Sequence, residues 1–159
     1  MSKHILSFSS SDRTLYFHAL ASTNEFSVSN TVLKNETFCV STDAFRSYKL
    51  VGNRGSKSQS SSQVFDKLTG VVFYTQINRD AIGCWNTLKP YTRENQGLVT
   101  SDCEFLVFPN EVRIDNDGNL LVLSNQLPVF MYGKLSKEFN FRILMGKTTE
   151  IIKGTPCEN

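Results

Sequence analysis

The chain has 159 residues, with 17 Lys and Arg against 15 Asp and Glu, and a formal net charge of +2. With 40% hydrophobic and 11% aromatic residues, it has the composition of one ordinary globular domain, which excludes a disordered or fibrous chain. The positive charges form no basic block, so we expect no nucleic-acid partner. The longest apolar runs fall well short of the ~20 residues that span a bilayer, so we expect no membrane anchor.

The dominant apolar periodicity along the chain is two, which predicts an all-β fold. Residues 14–19 and 25–29 are predicted strands, and Ser29 is a predicted N-cap for one helical turn over 30–34. The segment 55–63 is rich in Ser and Gln, a composition typical of a flexible linker that divides the chain. The alternative is an extended strand of small polar side chains beside a wet channel or a neighbouring strand.

Two hairpins are predicted in the second half of the chain. Gly70 can take the positive φ of a bulged turn before the strongest β run, 71–77. The clearest hairpin joins 111–115 to 119–124 through Asn-Asp-Gly. Its alternating first arm predicts an outer strand with one wet face, and its nearly all-apolar second arm predicts a strand buried on both faces. Two further strands are predicted at 130–132 and 139–144, with a helical turn between them at 133–138.

No sequence motif for catalysis is visible. A nucleophile elbow, a phosphate loop, a dinucleotide fingerprint and a metalloprotease helix are all missing from the sequence. His18 lies within an apolar predicted strand and is interpreted as a packing residue rather than a base. Two histidines and no C-x-x-C pair are too little for a zinc site, so we expect no metal and no cofactor.

The four cysteines and one sequon bear on the compartment of the protein. The even cysteine count allows three disulfide pairings in an oxidising compartment, or four buried thiols in a reducing one. The cysteines are Cys39, Cys84, Cys103 and Cys157. Asn35-Glu36-Thr37 is an N-glycosylation sequon in a polar segment, which slightly favours secretion. The first eight residues lack the apolar core of a signal peptide.

Segments along nearly the whole chain resemble, in order, those of the insect Yellow and major royal jelly protein family. Residues 13–22 resemble its "TLYF-x-x-LAS" segment, and 26–33 resemble the "VST-x-x-L" that follows. Gly-Cys-Trp-Asn at 83–86 and the Ser/Gln-rich stretch 58–62 also resemble family segments. Further matching stretches are 106–109, 114–115, 122–125, 127–128 and 140–143.

The resemblance implies a six-bladed β-propeller in secreted, often glycosylated insect proteins. At about 40–45 residues a blade, the chain supplies roughly three blades, so we expect 1–159 to be a partial propeller domain holding the C-terminal blades. The signal peptide and the N-terminal blades are then expected on a missing N-terminal part. Open blade edges predict self-association or pairing with another chain.

The resemblance also changes the interpretation of the Ser/Gln-rich stretch and of the cysteines. The stretch is expected to be an inner or near-inner blade strand, and disulfides are favoured over free thiols. Cys84 and Cys157 stand where family members carry cysteines. The pairing of Cys39 with Cys103 is a further hypothesis, and the connectivity stays open.

Family functions include cuticle pigmentation, nutrition and the binding of biogenic amines in the central channel. In the amine binders, the stretch that 124–127 resembles supplies an Asn side chain and a nearby backbone carbonyl. Asn125 and the carbonyl of Leu127 are therefore the candidate ligand-binding residues for a small aromatic amine or a catechol-derived ligand. The alternative for Asn125 is a turn residue that follows an inner strand.

Two other functions stay open at this point. The first is a dopachrome-converting tautomerase of the melanin pathway, for which His18 is the one candidate in a matching segment, because histidine is the residue type suited to acid–base catalysis near neutral pH. The second is a nutritive or structural secreted protein without a ligand.

Overall fold

The computed structural model describes residues 4–9, 14–134 and 139–159, with the backbone alone for 4–9 and Cys39. This part of the chain contains eleven β-strands and only short helices, which confirms the predicted all-β class. The strands are β1 His4–Ser9, β2 Thr14–Ala19, β3 Asn24–Ser29, β4 Lys49–Asn53, β5 Gln63–Asp66, β6 Val71–Gln76, β7 Ala81–Asn86, β8 Gln96–Ser101, β9 Pro109–Ile114, β10 Asn119–Ser124 and β11 Arg142–Lys147. The helices are α1 Asn30–Leu33, α2 Glu36–Cys39, α3 Leu127–Tyr132 and α4 Thr148–Ile151. None of these described helices is long and apolar enough to cross a membrane.

The strands form three antiparallel sheets in which neighbours in sequence are neighbours in space. The first sheet holds β1 to β4, the second holds β5 to β8, and the third holds β9 to β11. The opening strands of the sheets lie side by side, β1 against β5 and β5 against β9. Meander sheets that radiate from their first strands have the arrangement of propeller blades.

The second sheet lies between the other two, and its strands β5 to β7 are largely buried on both faces. Every residue of β6 is buried, and its side chains alternate between two apolar clusters. Val71 and Phe73 pack toward the third sheet, together with Val112 and Leu120. The second cluster lies on the other face and packs toward the first sheet. Its members are Tyr16, Phe65, Val72, Tyr74 and Trp85.

The predicted turns at Gly70 and between β9 and β10, and the predicted cap at Ser29, are confirmed. Gly70 has a φ of +72° before β6. The side chain of Ser29 accepts a hydrogen bond from the backbone N–H of Thr31 (3.3 Å) and caps α1. In the turn between β9 and β10, a carboxylate oxygen of Asp115 accepts the backbone N–H groups of Asp117 (2.9 Å) and Asn119 (2.8 Å). The side-chain amide of Asn119, helped by these backbone donors, lowers the pKa of the Asp115 carboxyl.

Of two predictions about the third sheet, the first is confirmed and the second was wrong. Strand β9 lies at one edge of the sheet with several residues only partly buried, and it packs beside β5. Strand β10 is its middle strand and alternates buried with partly exposed residues, because the described chain covers only one face of this sheet.

The predicted strand at 130–132 was also wrong. These residues belong to α3, where Pro128 occupies the first turn and supplies the φ that begins a helix. The predicted strand at 139–144 starts later, at Arg142, and continues to Lys147. Of the predicted helical turn at 133–138, residues 135–138 lie outside the described residues.

The linker interpretation of 55–63 was wrong as well. Ser58, Ser60, Ser61 and Ser62 are all buried, and the segment leads directly into β5. Small hydroxyl side chains fit here because the backbone runs close to β6 and β9, and those side chains satisfy buried backbone groups.

Candidate functional site

Four loops meet at one end of the second and third sheets, and we call this region the loop end. It comprises 54–62, 77–80, 102–108 and 125–134, which precede or follow strands at the same edge of the antiparallel ladders. Hydrogen bonds link each loop to the next. Arg79 Nη2 donates to the carbonyl of Ser56 (2.7 Å), Asp80 Oδ1 accepts the N–H of Phe108 (2.9 Å), and the N–H of Gln126 donates to the carbonyl of Val107 (3.4 Å).

Backbone strain in the described chain is concentrated at the loop end. Its non-glycine residues with positive φ are Lys57, Asp80, Phe108 and Gln126, one in each loop. A left-handed conformation costs a non-glycine residue on the order of 1–3 kcal/mol, and it is a clear outlier for a bulky residue such as Phe108. Such strain persists where surrounding contacts impose it and is concentrated at functional sites, so it favours a functional role for the loop end.

The predicted ligand residues Asn125 and Leu127 both lie in the loop end. Asn125 is half-buried, and its Oδ1 accepts the backbone N–H of Leu127 (3.1 Å) in the turn that opens α3. A carboxamide oxygen has two lone pairs, so one acceptor position remains after this bond. The turn and the ligand interpretations of Asn125 are therefore compatible, although the strand that it follows, β10, is the middle strand of its sheet.

A buried charged cluster joins the first two sheets below the loop end. Glu25 Oε2 accepts from Arg54 Nη1 (2.6 Å) and bonds to His18 Nδ1 (2.9 Å), while Glu25 Oε1 accepts from Gln63 Nε2 (3.1 Å). Arg54 also donates to the backbone carbonyls of Ser58 and Ser22. All four cluster side chains, His18, Glu25, Arg54 and Gln63, are buried, so they hold β2, β3 and β5 in fixed positions.

His18 is fully buried, as a packing residue would be, but it carries a polar bond to Glu25. Neither Glu25 nor Arg54 was predicted to be a site residue. They are separated by 29 residues, and Glu25 lies on a strand whose alternation gives no sign that this carboxylate is buried.

A hydroxyl cluster fixes the segment before β5 against β6 and β9. Thr75 Oγ1 accepts the backbone N–H groups of Ser61 (2.9 Å) and Ser62 (3.2 Å). Ser61 Oγ donates to the carbonyls of Pro109 and Asn110 (both 2.9 Å). These bonds explain the Ser-rich composition and position the inner strands beside the loop end.

Among the side chains that the structure describes, Cys84 on β7 and Cys157 near the end of the chain form a disulfide. Cys103 is exposed and carries a free thiol, so the hypothesis that it pairs with Cys39 was wrong. Asn35 is exposed, and its Oδ1 caps α2 by accepting the backbone N–H of Phe38 (3.0 Å). Within the described residues, no three His, Cys, Asp or Glu side chains gather into a metal site.

The architecture and its neighbours define the class of protein. A solved structure of a luciferin-regenerating enzyme matches 98% of this chain and 46% of its own, with a TM-score of 0.58 at 12% identity. Regucalcin, a calcium-binding protein from Agrobacterium tumefaciens, matches 89% of this chain and 44% of its own, with a TM-score of 0.57 at 13% identity. Similarity at this level of identity concerns the fold alone, and the fold is all-β, of the β-propeller type.

The family is shown by sequence. The model of the family described as "Major royal jelly protein" matches residues 2–157, and the chain belongs to this family. It is 41% identical to "L-dopachrome tautomerase yellow-f" and 39% identical to "Dopaminechrome tautomerase", both of Drosophila melanogaster, over 92% of its length. It is 36% identical to "Protein yellow" of the same fly. The chain spans only 34%, 33% and 27% of these three relatives.

Proposed function

We propose that the chain forms the C-terminal blades of a secreted Yellow-like protein that acts in cuticle pigmentation, the melanin pathway or development. The observation that carries this proposal is the 36–41% identity to Protein yellow and to the dopachrome and dopaminechrome tautomerases over 92% of the chain. The described part of the chain forms three sheets, and the chain spans about a third of the length of the two tautomerases that it matches, so the proposed active form is a complete six-bladed ring.

The proposed ligand is a small aromatic amine or a catechol derivative held at the loop end. Asn125 retains one free acceptor position, and the carbonyl of Leu127 lies next to it at the start of α3. A protonated amine needs acceptors without a competing cation, which a carboxamide oxygen and a backbone carbonyl provide. The strained loops that support these two residues favour a pre-formed site.

Calorimetric titration of the complete protein with dopamine tests this proposal. We expect saturable binding that weakens about tenfold in Asn125→Ala, because a hydrogen bond to a charged group is lost. Asn125→Asp keeps an acceptor for the Leu127 N–H and adds a negative charge, so it should bind dopamine at least as tightly. Asn116→Ala, an exposed Asn in the turn at the opposite end of the third sheet, is the matched control. Equal affinity in Asn125→Ala and the control would reject the site.

Secretion is part of the same proposal. The Cys84–Cys157 disulfide suits an oxidising compartment, and Asn35 stands exposed within its sequon. In insect cells we expect the complete protein in the medium, with a mass that falls on glycosidase treatment. The variant Asn35→Gln should lose that mass difference, and protein retained inside the cells would contradict secretion.

A dopachrome-converting enzyme is the second candidate function, favoured by the two tautomerases among the relatives. The complete protein would then speed the loss of dopachrome above the rate in buffer. Because His18 is buried against Glu25, a lower rate in a folded His18→Gln variant would identify it as a positioning residue. Equal rates with and without protein would reject catalysis, and the additional lack of dopamine binding would favour a nutritive or structural protein.

A further inference from the structure

A cavity of about 260 Å³ opens between the 54–62 loop and one face of the second sheet. Its lining includes three guanidinium groups, those of Arg54, Arg79 and Arg93. Among the described residues that line it there is no Asp or Glu. Two loops of the loop end, 54–62 and 77–80, line the cavity, and Asn125, in the loop after β10, does not.

The charge at this cavity is largely uncompensated. Arg54 is neutralised by its buried pair with Glu25. Arg79 donates only to neutral groups, Gln76 Oε1 (3.1 Å) and the Ser56 carbonyl (2.7 Å). Within the described part of the chain, no salt bridge includes Arg79 or Arg93. Two unpaired cations therefore share one cavity in a chain whose total net charge is only +2.

The arginine side chain at the centre of this arrangement is already ordered. The two bonds to Gln76 and Ser56 fix the plane of the Arg79 guanidinium and use two of its five N–H donors, leaving three. A guanidinium fork matches the paired oxygens of a carboxylate or a phosphate. Because the side chain is held before binding, less conformational entropy is lost when an anion arrives.

The remainder of the lining is mixed in character. Leu98, which is 54% exposed, contributes apolar surface beside the buried Ala81 and Tyr74, and the buried side chain of Gln76 contributes a polar group. Burial raises the pKa of the Tyr74 phenol, which therefore stays neutral at physiological pH and does not repel an anion. A volume of about 260 Å³ suits a ligand at the small end of the range for ligand pockets.

We propose that this cavity binds a small organic anion, with its carboxylate or phosphate group on Arg79 and Arg93 and its carbon skeleton against Leu98. Arg54 contributes the inner wall and stays paired with Glu25. The inference is independent of the amine site at Asn125, since it rests on different residues and on the opposite ligand charge.

Isothermal titration of the complete protein at low ionic strength, with inorganic phosphate and with benzoate as probes, tests the proposal. Saturable binding of either probe is expected, and the tighter one identifies the source of the anionic group. Arg79→Gln and Arg93→Gln should each weaken binding about tenfold, the scale of one charge-assisted hydrogen bond. Arg79→Lys keeps the charge but loses the fork, so a smaller loss is expected there.

Arg113→Gln is the matched control, because it removes one exposed positive charge from the third sheet and leaves the cavity intact. Its affinity for both probes should equal that of the unmodified protein. Lack of binding by either probe at about 10 mM, above the range of even millimolar sites, would overturn the proposal. Equal weakening in Arg113→Gln and in the cavity variants would also overturn it, since binding would then follow net charge alone.

Discussion

Glu25 is the residue on which the junction of the first two sheets depends most. In Glu25→Gln, the Arg54 guanidinium stays buried without its counter-charge, and loss of one partner from a buried pair costs about 3–5 kcal/mol. We therefore expect urea unfolding to show a loss of that size. Glu111→Gln, which breaks the more exposed pair with Arg113, should cost less than about 1 kcal/mol. Similar losses in both variants would contradict a special role for the buried cluster.

The buried Tyr74 and the partly buried Tyr91 predict a loss of stability at high pH. Burial is the largest cause that raises the pKa of Tyr74, and likewise that of Tyr91. A group with a raised folded pKa stabilises the fold fully below its unfolded pKa, about 10 for tyrosine, and that stabilisation is lost as pH rises further. The free energy of unfolding should thus fall above about pH 10, by up to about 1.4 kcal/mol per pH unit for each tyrosine.

Denaturant titrations at several alkaline pH values measure this slope. Tyr74→Phe should make it shallower, whereas Tyr132→Phe, at an 84% exposed position, should leave it unchanged. An equal slope in Tyr74→Phe and in the unmodified protein would contradict the attribution of this loss of stability to Tyr74.

At the scale of elements, the disulfide between β7 and the C-terminal segment is the main covalent constraint. It joins residues separated by 73 positions, and a loop of that size stabilises the folded state by about 4 kcal/mol in the chain-entropy model. Cys84→Ser should lose most of this stability, as measured by thermal or urea unfolding. Cys103→Ser removes only an exposed free thiol, so its stability should match that of the unmodified chain.

Gly97 on β8 gives an independent test of the packing around this disulfide. A Cβ at this position would lie 2.7 Å from Cys84 Sγ and 2.9 Å from Cys157 Sγ, closer than real contacts allow. Gly97→Ala should therefore destabilise the fold by about 1–3 kcal/mol, the usual cost of overpacking. A neutral effect of this variant in urea unfolding would show that the sulfur atoms do not occupy this position.

Elements with a strong local signal were predictable from the sequence, and elements that depend on neighbours were not. Alternation predicted β2 and β3, and Gly70 predicted the turn before β6, because these signals lie within a few residues. The aromatic run 130–132 has high β propensity, yet Pro128 just before it begins a helix. The arginines of the anion cavity are invisible as a group because the fold brings together residues from separate loops.

The candidate site was predicted only in part. Asn125 and Leu127 were found through family resemblance, and the structure places them in a strained loop. Glu25 lies on β3 and Arg54 lies in the loop after β4, so only the tertiary structure shows that they are paired.

At the scale of the whole molecule, the two outer sheets expose apolar side chains. Phe141, Ile143 and Met145 on or beside β11 are 69%, 73% and 68% exposed, and Leu50 on β4 is 61% exposed. In a complete ring, neighbouring blades would cover such surfaces. The chain on its own is therefore expected to self-associate, because contact between copies removes apolar surface from water.

Analytical ultracentrifugation over a range of concentrations tests this expectation. The double variant Ile143→Lys with Met145→Lys should shift the isolated chain toward monomer. Leu88→Lys, at an isolated 81% exposed position in the loop after β7, is the control and should leave association unchanged. An unmodified chain that stays monomeric at every concentration would contradict the expectation.

The Cys84–Cys157 bond also has a consequence for proteolysis. Every peptide bond of the third sheet lies between the two cysteines, so a cut in the exposed α3 segment cannot release a fragment. The nicked protein would migrate as one species on a non-reducing gel and separate into two pieces only after a thiol reductant is added. In an extracellular setting rich in proteases, such a molecule would survive a backbone cut with its sheets still tethered together.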